Sequence, residues 1–365
     1  MDLLSSLGGD RAIDFAVSMF IRGTLLSLVL VAVGAGFRRV SSALRAAWWT
    51  TGALAVVSVP MISTLIPGWG VGPFSYPLTP LWRPIAGGAT AAGVNWGAVV
   101  IAIWAIGAIG LAARTAVQVG RVAWLTQRAG AVERGPLGSL IRSVRVRLGL
   151  PRRVRVVLSE TVEVPFTWGL RSPVVVLPES SRSWPPELQR AVLHHEFAHV
   201  ARSDYLGLVW LELARTLYWP NPAVWIVHRE GRREQERACD DAALRAGIPP
   251  LEYARHLVEI GRRALGRAAV AAALPMMRGD SLRDRVASVM TPGRGRRPVT
   301  AGRLLATGAM IALVSLPFAL ASPIWICDPA PGATLMTGPS GAAPGSTTGV
   351  PAGLSPGPIT PALTI

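Results

Sequence analysis

The sequence predicts an α-helical integral membrane protein with four transmembrane helices and an α+β domain inserted between the third and the fourth. Three observations predict it. Apolar runs near residues 15–36, 46–66, 94–113 and 304–326 are each long enough to cross a bilayer, which takes about 20 residues of helix. Arginine is concentrated in some connecting segments and nearly missing from others. A long interval, 114–300, separates the third run from the fourth.

The arginines orient the spans. Arg38, Arg39 and Arg45 follow the first run, Arg114, Arg121 and Arg128 follow the third, and Arg294, Arg296, Arg297 and Arg303 precede the fourth. By the positive-inside rule those faces are cytoplasmic. Residues 67–93 carry only Arg83, and 327–365 only Asp328, so those faces belong outside. The expected organisation is a three-span membrane region at 1–113, a cytoplasmic domain at 114–300, a fourth span within 301–326, and an extracytoplasmic tail at 327–365. The tail is rich in Gly, Pro, Ser and Thr and too poor in apolar residues for a core. Arg22 lies inside the first run, where a central charge costs about 2.5–3.5 kcal/mol, so its guanidinium is expected to snorkel outward. A cleaved signal peptide is the alternative, but Asp2, Asp10 and Asp14 outnumber Arg11 ahead of the apolar stretch, the wrong charge for that role. The net charge of +16 comes entirely from arginine. Much of it flanks the spans, which favours contact with anionic lipid over direct binding of nucleic acid. The stretch 142–155 is the best remaining candidate for an acidic partner, or equally a solvated basic face.

Chemistry enters at His195-Glu196-Phe197-Ala198-His199. Residues 195 and 199 are one helical turn apart, so both imidazoles can reach one tetrahedral metal while Glu196 flanks the open position as general base. A third ligand is expected from the following charged segment, at Glu236. Asp240, four residues on, is placed to accept the free ring N–H of a ligating histidine. Glu234 reads as an ordinary partner of arginines on its own helix. Two imidazoles and a carboxylate suit one Zn2+ per chain. Cys239 and Cys327 are predicted on opposite sides of the membrane and so cannot pair, and Cys239 reads as a small buried hydrophobe.

Local signals order the inserted domain. Residues 154–177 are β-branched and broken by Gly169 and Pro173, which reads as a strand followed by a hairpin. Ser183-Trp184-Pro185-Pro186-Glu187 reads as a helix start, and the metal helix is expected over 186–202. Asp204 is placed to cap a second helix that ends at Trp219-Pro220-Asn221-Pro222, and a third, over 222–246, carries Glu236. His194 points off the metal face. His228, His256, Tyr205, Tyr218 and Tyr253 are candidates for stabilising an oxyanion, but no spacing rule selects among them and structural roles are preferred.

Three segments together resemble the BlaR/MecR-type membrane zinc metallopeptidases: 164–169 (VPFTWG) with 173–178 (PVVVLP), 195–204 (HEFAHVARSD), and 236–241 (ERACDD). The resemblance implies a gluzincin-like metallopeptidase domain of the HExxH…ExxxD kind. Its zinc ligands are His195, His199 and Glu236, its base is Glu196, and Asp240 supports a ligand. It also implies a substrate-binding edge strand at Phe166, Thr167 and Trp168, though a plain core hairpin stays open there. The implied activity is cleavage of a cytoplasmic protein, a transcriptional repressor or the chain itself, in signal transduction at a bacterial cell membrane. The chain departs from the family's pattern at the end, where about forty residues leave no room for a penicillin-binding sensor domain. Two further readings stay open: a housekeeping membrane peptidase, and a noncatalytic zinc-stabilised receptor or scaffold. A homodimer is compatible with the sequence.

Overall fold

Two long antiparallel helices open the structure, α1 (Gly9–Gly36) and α2 (Ser42–Leu65), joined by a short turn in which Val40 N–H donates to the Phe37 carbonyl. The computed structural model describes residues 9–37, 40–65, 76–77, 96–132, 134–150, 154–265, 282–293, 295–320 and 323–324. The predicted tail at 327–365 and nearly all of the predicted external loop lie outside them. Two residues of that loop form β1 (Tyr76–Pro77), which pairs in parallel with β6 (Pro323–Ile324) just beyond the last helix.

Among the described residues three stretches are long and apolar enough to cross a membrane: Val17–Gly36, Ala98–Arg128 and Ala301–Ala319. They lie in α1, in α3 (Trp96–Arg128) and in α10 (Ala301–Leu320). The helix α3 runs well past the predicted end at 113, because no proline interrupts 114–128. Its Val100, Ile103, Ile106 and Ile109 are exposed, as suits a face turned toward lipid. The remaining predicted span, 46–66, falls on α2, whose Trp48, Ala53 and Val56 are buried against other helices. Arg22 departs from expectation. Its residue is only 6% exposed, so it points into the bundle and does not snorkel outward.

The inserted region begins with a four-stranded sheet. Its order is β2 (Gly130–Ala131), β3 (Arg155–Ser159), β5 (Val174–Pro178), β4 (Phe166–Trp168), with β3 and β5 parallel and the other pairs antiparallel. Strand periodicity sorts its side chains. Val156, Leu158, Val175 and Leu177 pack under α4 (Gly135–Arg147) and α5 (Pro186–Arg202), while Val157, Val174, Val176 and Phe166 pack with Val122 of α3. Among the described residues β4 pairs only with β5, and its other edge carries no sheet pairing beside α5.

After α5 the chain folds into a helical hairpin, α6 (Asp204–Leu217) and α7 (Pro222–Arg245). Helices α8 (Pro250–Leu265) and α9 (Leu282–Met290) follow. Asp204 does not cap α6 as expected. The cap position is Ser203, in the left-handed conformation at φ 56°, with no side-chain hydrogen bond, and the carboxylate of Asp204 is used elsewhere.

The tip of this hairpin packs among the apolar helices. Leu211, Ala214, Tyr218, Val224 and Val227 share one core with Leu26, Leu30, Trp48, Trp49 and Ile311. Polar bonds fix the tip. Trp104 Nε1 donates to the Leu217 carbonyl at 2.8 Å, Trp219 Nε1 to the Trp104 carbonyl at 3.0 Å, and Asn221 Nδ2 to Ser27 Oγ at 3.0 Å. Only glycine permits this approach. A Cβ on Gly23 would lie 2.2 Å from the Tyr218 ring, and one on Gly107 would lie 2.3 Å from that of Trp219.

Candidate metal centre

The site is built where α5 meets α7. Helix α5 starts at Pro185-Pro186, with proline in its first turn and Glu187 at the positive end, and the four-residue spacing within it puts His195 and His199 on one face. Facing them, α7 presents Glu236. The three ligand groups lie within 4.8 Å of one another, with Glu236 Oε2 at 3.6 Å from His195 Nε2 and Oε1 at 3.8 Å from His199 Nε2.

Each imidazole is oriented from behind by a carboxylate, and each carboxylate by an arginine. His195 Nδ1 lies 3.1 Å from Asp240 Oδ1 and 3.0 Å from the Tyr253 hydroxyl, which itself donates to Oδ1 at 2.8 Å. Arg285 forks onto Asp240, with Nε to Oδ2 at 3.0 Å and Nη2 to Oδ1 at 2.6 Å. On the other side His199 Nδ1 lies 2.9 Å from Asp204 Oδ2, and Arg202 Nε reaches both oxygens of Asp204 at 3.2 Å. With both Nδ1 atoms occupied, the Nε2 atoms are the ones turned toward Glu236, that of His195 also having Arg285 Nη2 at 3.5 Å.

Electrostatics follow the contacts. Burial opposes charge on His195, but Asp240 and Glu236 outweigh it and raise its pKa to about 9. Glu236 and Asp240 are buried too, yet Arg285 and the neighbouring imidazoles hold both carboxyls well below the usual range. Asp204 is held down by Arg202 and His199 against the same burial. The donor set fits a divalent ion of the zinc kind: two imidazole nitrogens and one carboxylate, converging, with their far sides fixed.

Glu196 sits beside this cluster, 6% exposed. Thr167 of β4 donates its hydroxyl to Glu196 Oε2 at 2.8 Å and lies 3.1 Å from the Glu196 carbonyl. Phe166 faces the core, while Trp168 is half-buried. The edge strand and the candidate base are thus joined through one side chain.

Residues the spacing rules left open now have places. Tyr253 is spent on His195 and Asp240, and His228 Nε2 bonds Glu212 Oε1 at 2.9 Å between the hairpin helices. Tyr218 is buried in the hairpin core. His194 is buried outside the ligand group, and burial, with Arg190 and Arg147, lowers its pKa to about 4. Cys239 is buried as expected, but it is more than a hydrophobe, since its Sγ lies 3.3 Å from Asp204 Oδ2. Glu234 pairs with Arg237 and with Arg45, each at 2.8 Å.

Asp204 and Arg285 are the residues that sequence reasoning missed in these roles. A signal for Asp204 was present, an aspartate five residues after the second histidine. No local signal marked Arg285, which is 45 residues from Asp240.

Fold and ligand geometry together define the class: a predominantly helical membrane protein carrying a metallopeptidase-type constellation of two histidines and a glutamate on packed helices. The chain belongs to the BlaR1 peptidase M56 family, which matches residues 14–289. It is also similar to the regulatory protein BlaR1 of Bacillus licheniformis, at 27% identity over 144 residues, which is 40% of this chain. The matched stretch spans 24% of that relative's length.

Proposed function

We propose that this chain is a membrane-embedded zinc endopeptidase that cleaves a cytoplasmic protein, a transcriptional repressor or itself, in signal transduction. The observation that carries the reading is the convergence of one ligand atom each from His195, His199 and Glu236 within 4.8 Å, with Glu196 alongside. A zinc ion held there would supply a Lewis acid that polarises the scissile carbonyl and activates water. The chain supplies the rest. Thr167 holds Glu196 Oε2, which leaves Oε1 to take a proton from the attacking water and return it to the leaving amine. Among the described residues the outer edge of β4 is unpaired, and an extended substrate backbone could pair there beside Glu196. A closed structural site would use four protein ligands and have no need of Glu196, so the geometry favours an enzyme over a scaffold.

The arginine distribution supports four spans, α2 included, with the peptidase region cytoplasmic and the tail outside. Pairing of residues 76–77 with 323–324 agrees with this, since 76–77 fall in the predicted external loop and 323–324 at the predicted outer end of the fourth span. The test is proteolysis by detergent-purified protein, wild type beside Glu196→Ala and His199→Ala, with zinc quantified in each. Glu196→Ala should keep its zinc and lose cleavage by about 10²–10⁴-fold. His199→Ala should lose both, and full zinc in that variant would overturn the ligand assignment.

A further inference from the structure

We propose that Arg285 is a positioning residue of the metal centre, locking Glu236 and Asp240 into one geometry so that Glu236 presents a single oxygen to the ion. The proposal rests on the zinc reading above. Its ground is the set of contacts one guanidinium makes: both oxygens of Asp240 through Nε and Nη2, Glu236 Oε2 through Nη1 at 3.1 Å, and an approach of Nη2 to 3.5 Å from His195 Nε2. Glu236 and Asp240 lie one turn apart on the same face of α7, where two carboxylates repel. A planar cation with a fixed fork of donors cancels that repulsion and sets the angle between the two groups, which a point charge cannot do.

The consequence concerns Glu236. With Oε2 held by Arg285, Oε1 is the oxygen left for the ion, and it is the one facing His199 at 3.8 Å. A carboxylate restrained in this way gives one donor, which keeps the protein donors at three and a coordination position open for substrate or water. Because Arg285 also holds Asp240, it fixes the His195 ring through the Asp240–Nδ1 contact.

The mount of Arg285 is rigid. Its side chain is 19% exposed, and its helix α9 packs through Val289, Val286 and Leu282 against Tyr253 and Leu257 of α8. The segment that follows is pinned to α7. Arg296 Nη2 donates to the Val289 carbonyl at 2.8 Å, and Arg245 Nη1 donates to the Arg296 carbonyl at 2.6 Å. The helix that carries Arg285 is therefore placed by contacts independent of the carboxylates it holds.

The test measures zinc affinity by competition with a chromophoric chelator, using full-length protein in detergent: wild type, Arg285→Gln, Arg285→Lys and, as reference, His199→Ala. Thermal unfolding is followed alongside. Arg285→Gln should weaken zinc binding roughly 10- to 100-fold with its unfolding transition retained. Arg285→Lys should recover only part of the loss, since lysine restores charge without the fork. A folded Arg285→Gln protein that binds zinc like wild type, while His199→Ala does not, overturns this proposal and leaves the zinc reading standing. Absence of zinc binding by wild type sinks both. Should Arg285→Gln fail to fold, Asp240→Asn is compared with Asp240→Asn/Arg285→Gln, which removes charge and countercharge together. Threefold or weaker binding by the double variant supports the hold on Glu236, and equal binding overturns it.

Discussion

The Thr167–Glu196 hydrogen bond ties the sheet edge to the proposed base, and it makes a sharp demand on catalysis. Thr167→Val keeps the side-chain shape but strips the donor from Glu196 Oε2, a charge-assisted bond worth about 1.5–3 kcal/mol. The expected result is a fall in kcat/KM of about tenfold or more with zinc content unchanged, read by peptide cleavage and metal analysis on the same preparation. His195 makes a second demand. Its pKa is raised to about 9, above the ordinary 6.5, so without zinc its proton contributes stability that is complete below about 6.5 and disappears as pH rises through 9. An incoming ion must displace that proton, and apparent zinc affinity should therefore climb between pH 6 and 9. A chelator competition series that came out flat across that range would contradict the assignment of His195 as a ligand. The candidate ligands and Asp240 were legible in the sequence because helical spacing ties 195 to 199 and 236 to 240. Tyr253 and Arg285 were not, since they reach the site through space from helices whose own periodicity only reports packing.

At the scale of elements, the helices of the inserted region end close to where turn chemistry puts them. Paired prolines open α5, and Asn221-Pro222 opens α7, where Asn221 Oδ1 accepts from Ala223 N–H at 2.9 Å. What the pattern did not reveal is where the α6–α7 hairpin goes. Its apolar residues look the same in sequence whether they meet a soluble core or other apolar helices. Asn221 shows the difference, because its amide also donates to Ser27 Oγ at 3.0 Å and Thr24 Oγ1 at 3.3 Å on α1. Asn221→Ala removes the cap and this cross-link together, at a cost of about 2 kcal/mol. In detergent the thermal midpoint should fall by roughly 2–4 °C. A change within error would mean that the hairpin tip is held by packing alone.

For the whole molecule, the reading of 114–300 as an inserted domain understates how far it shares its core with the rest of the chain. From Pro222 to Glu236 is about 21 Å of helix at 1.5 Å per residue. One end of that rod adjoins Tyr218 and, through Asn221, Ser27, and the other carries a candidate metal ligand. Leu211, Tyr218, Val224 and Val227 are buried against Leu26, Leu30, Trp48, Trp49 and their neighbours. The sheet, α5 and α8 have cores of their own, but Glu236 and Asp240 stand on the helix that depends on α1 and α2. A fragment spanning residues 129–300 should therefore leave α7 without a partner surface and fail to assemble the ligand set. Expressed alone, it should bind zinc far below one equivalent and be cut rapidly by trypsin within the hairpin, whereas the full chain in detergent resists. A fragment that bound one zinc tightly and resisted trypsin would show that the metal centre forms without α1 and α2, and the shared core would lose its assigned part in building the site.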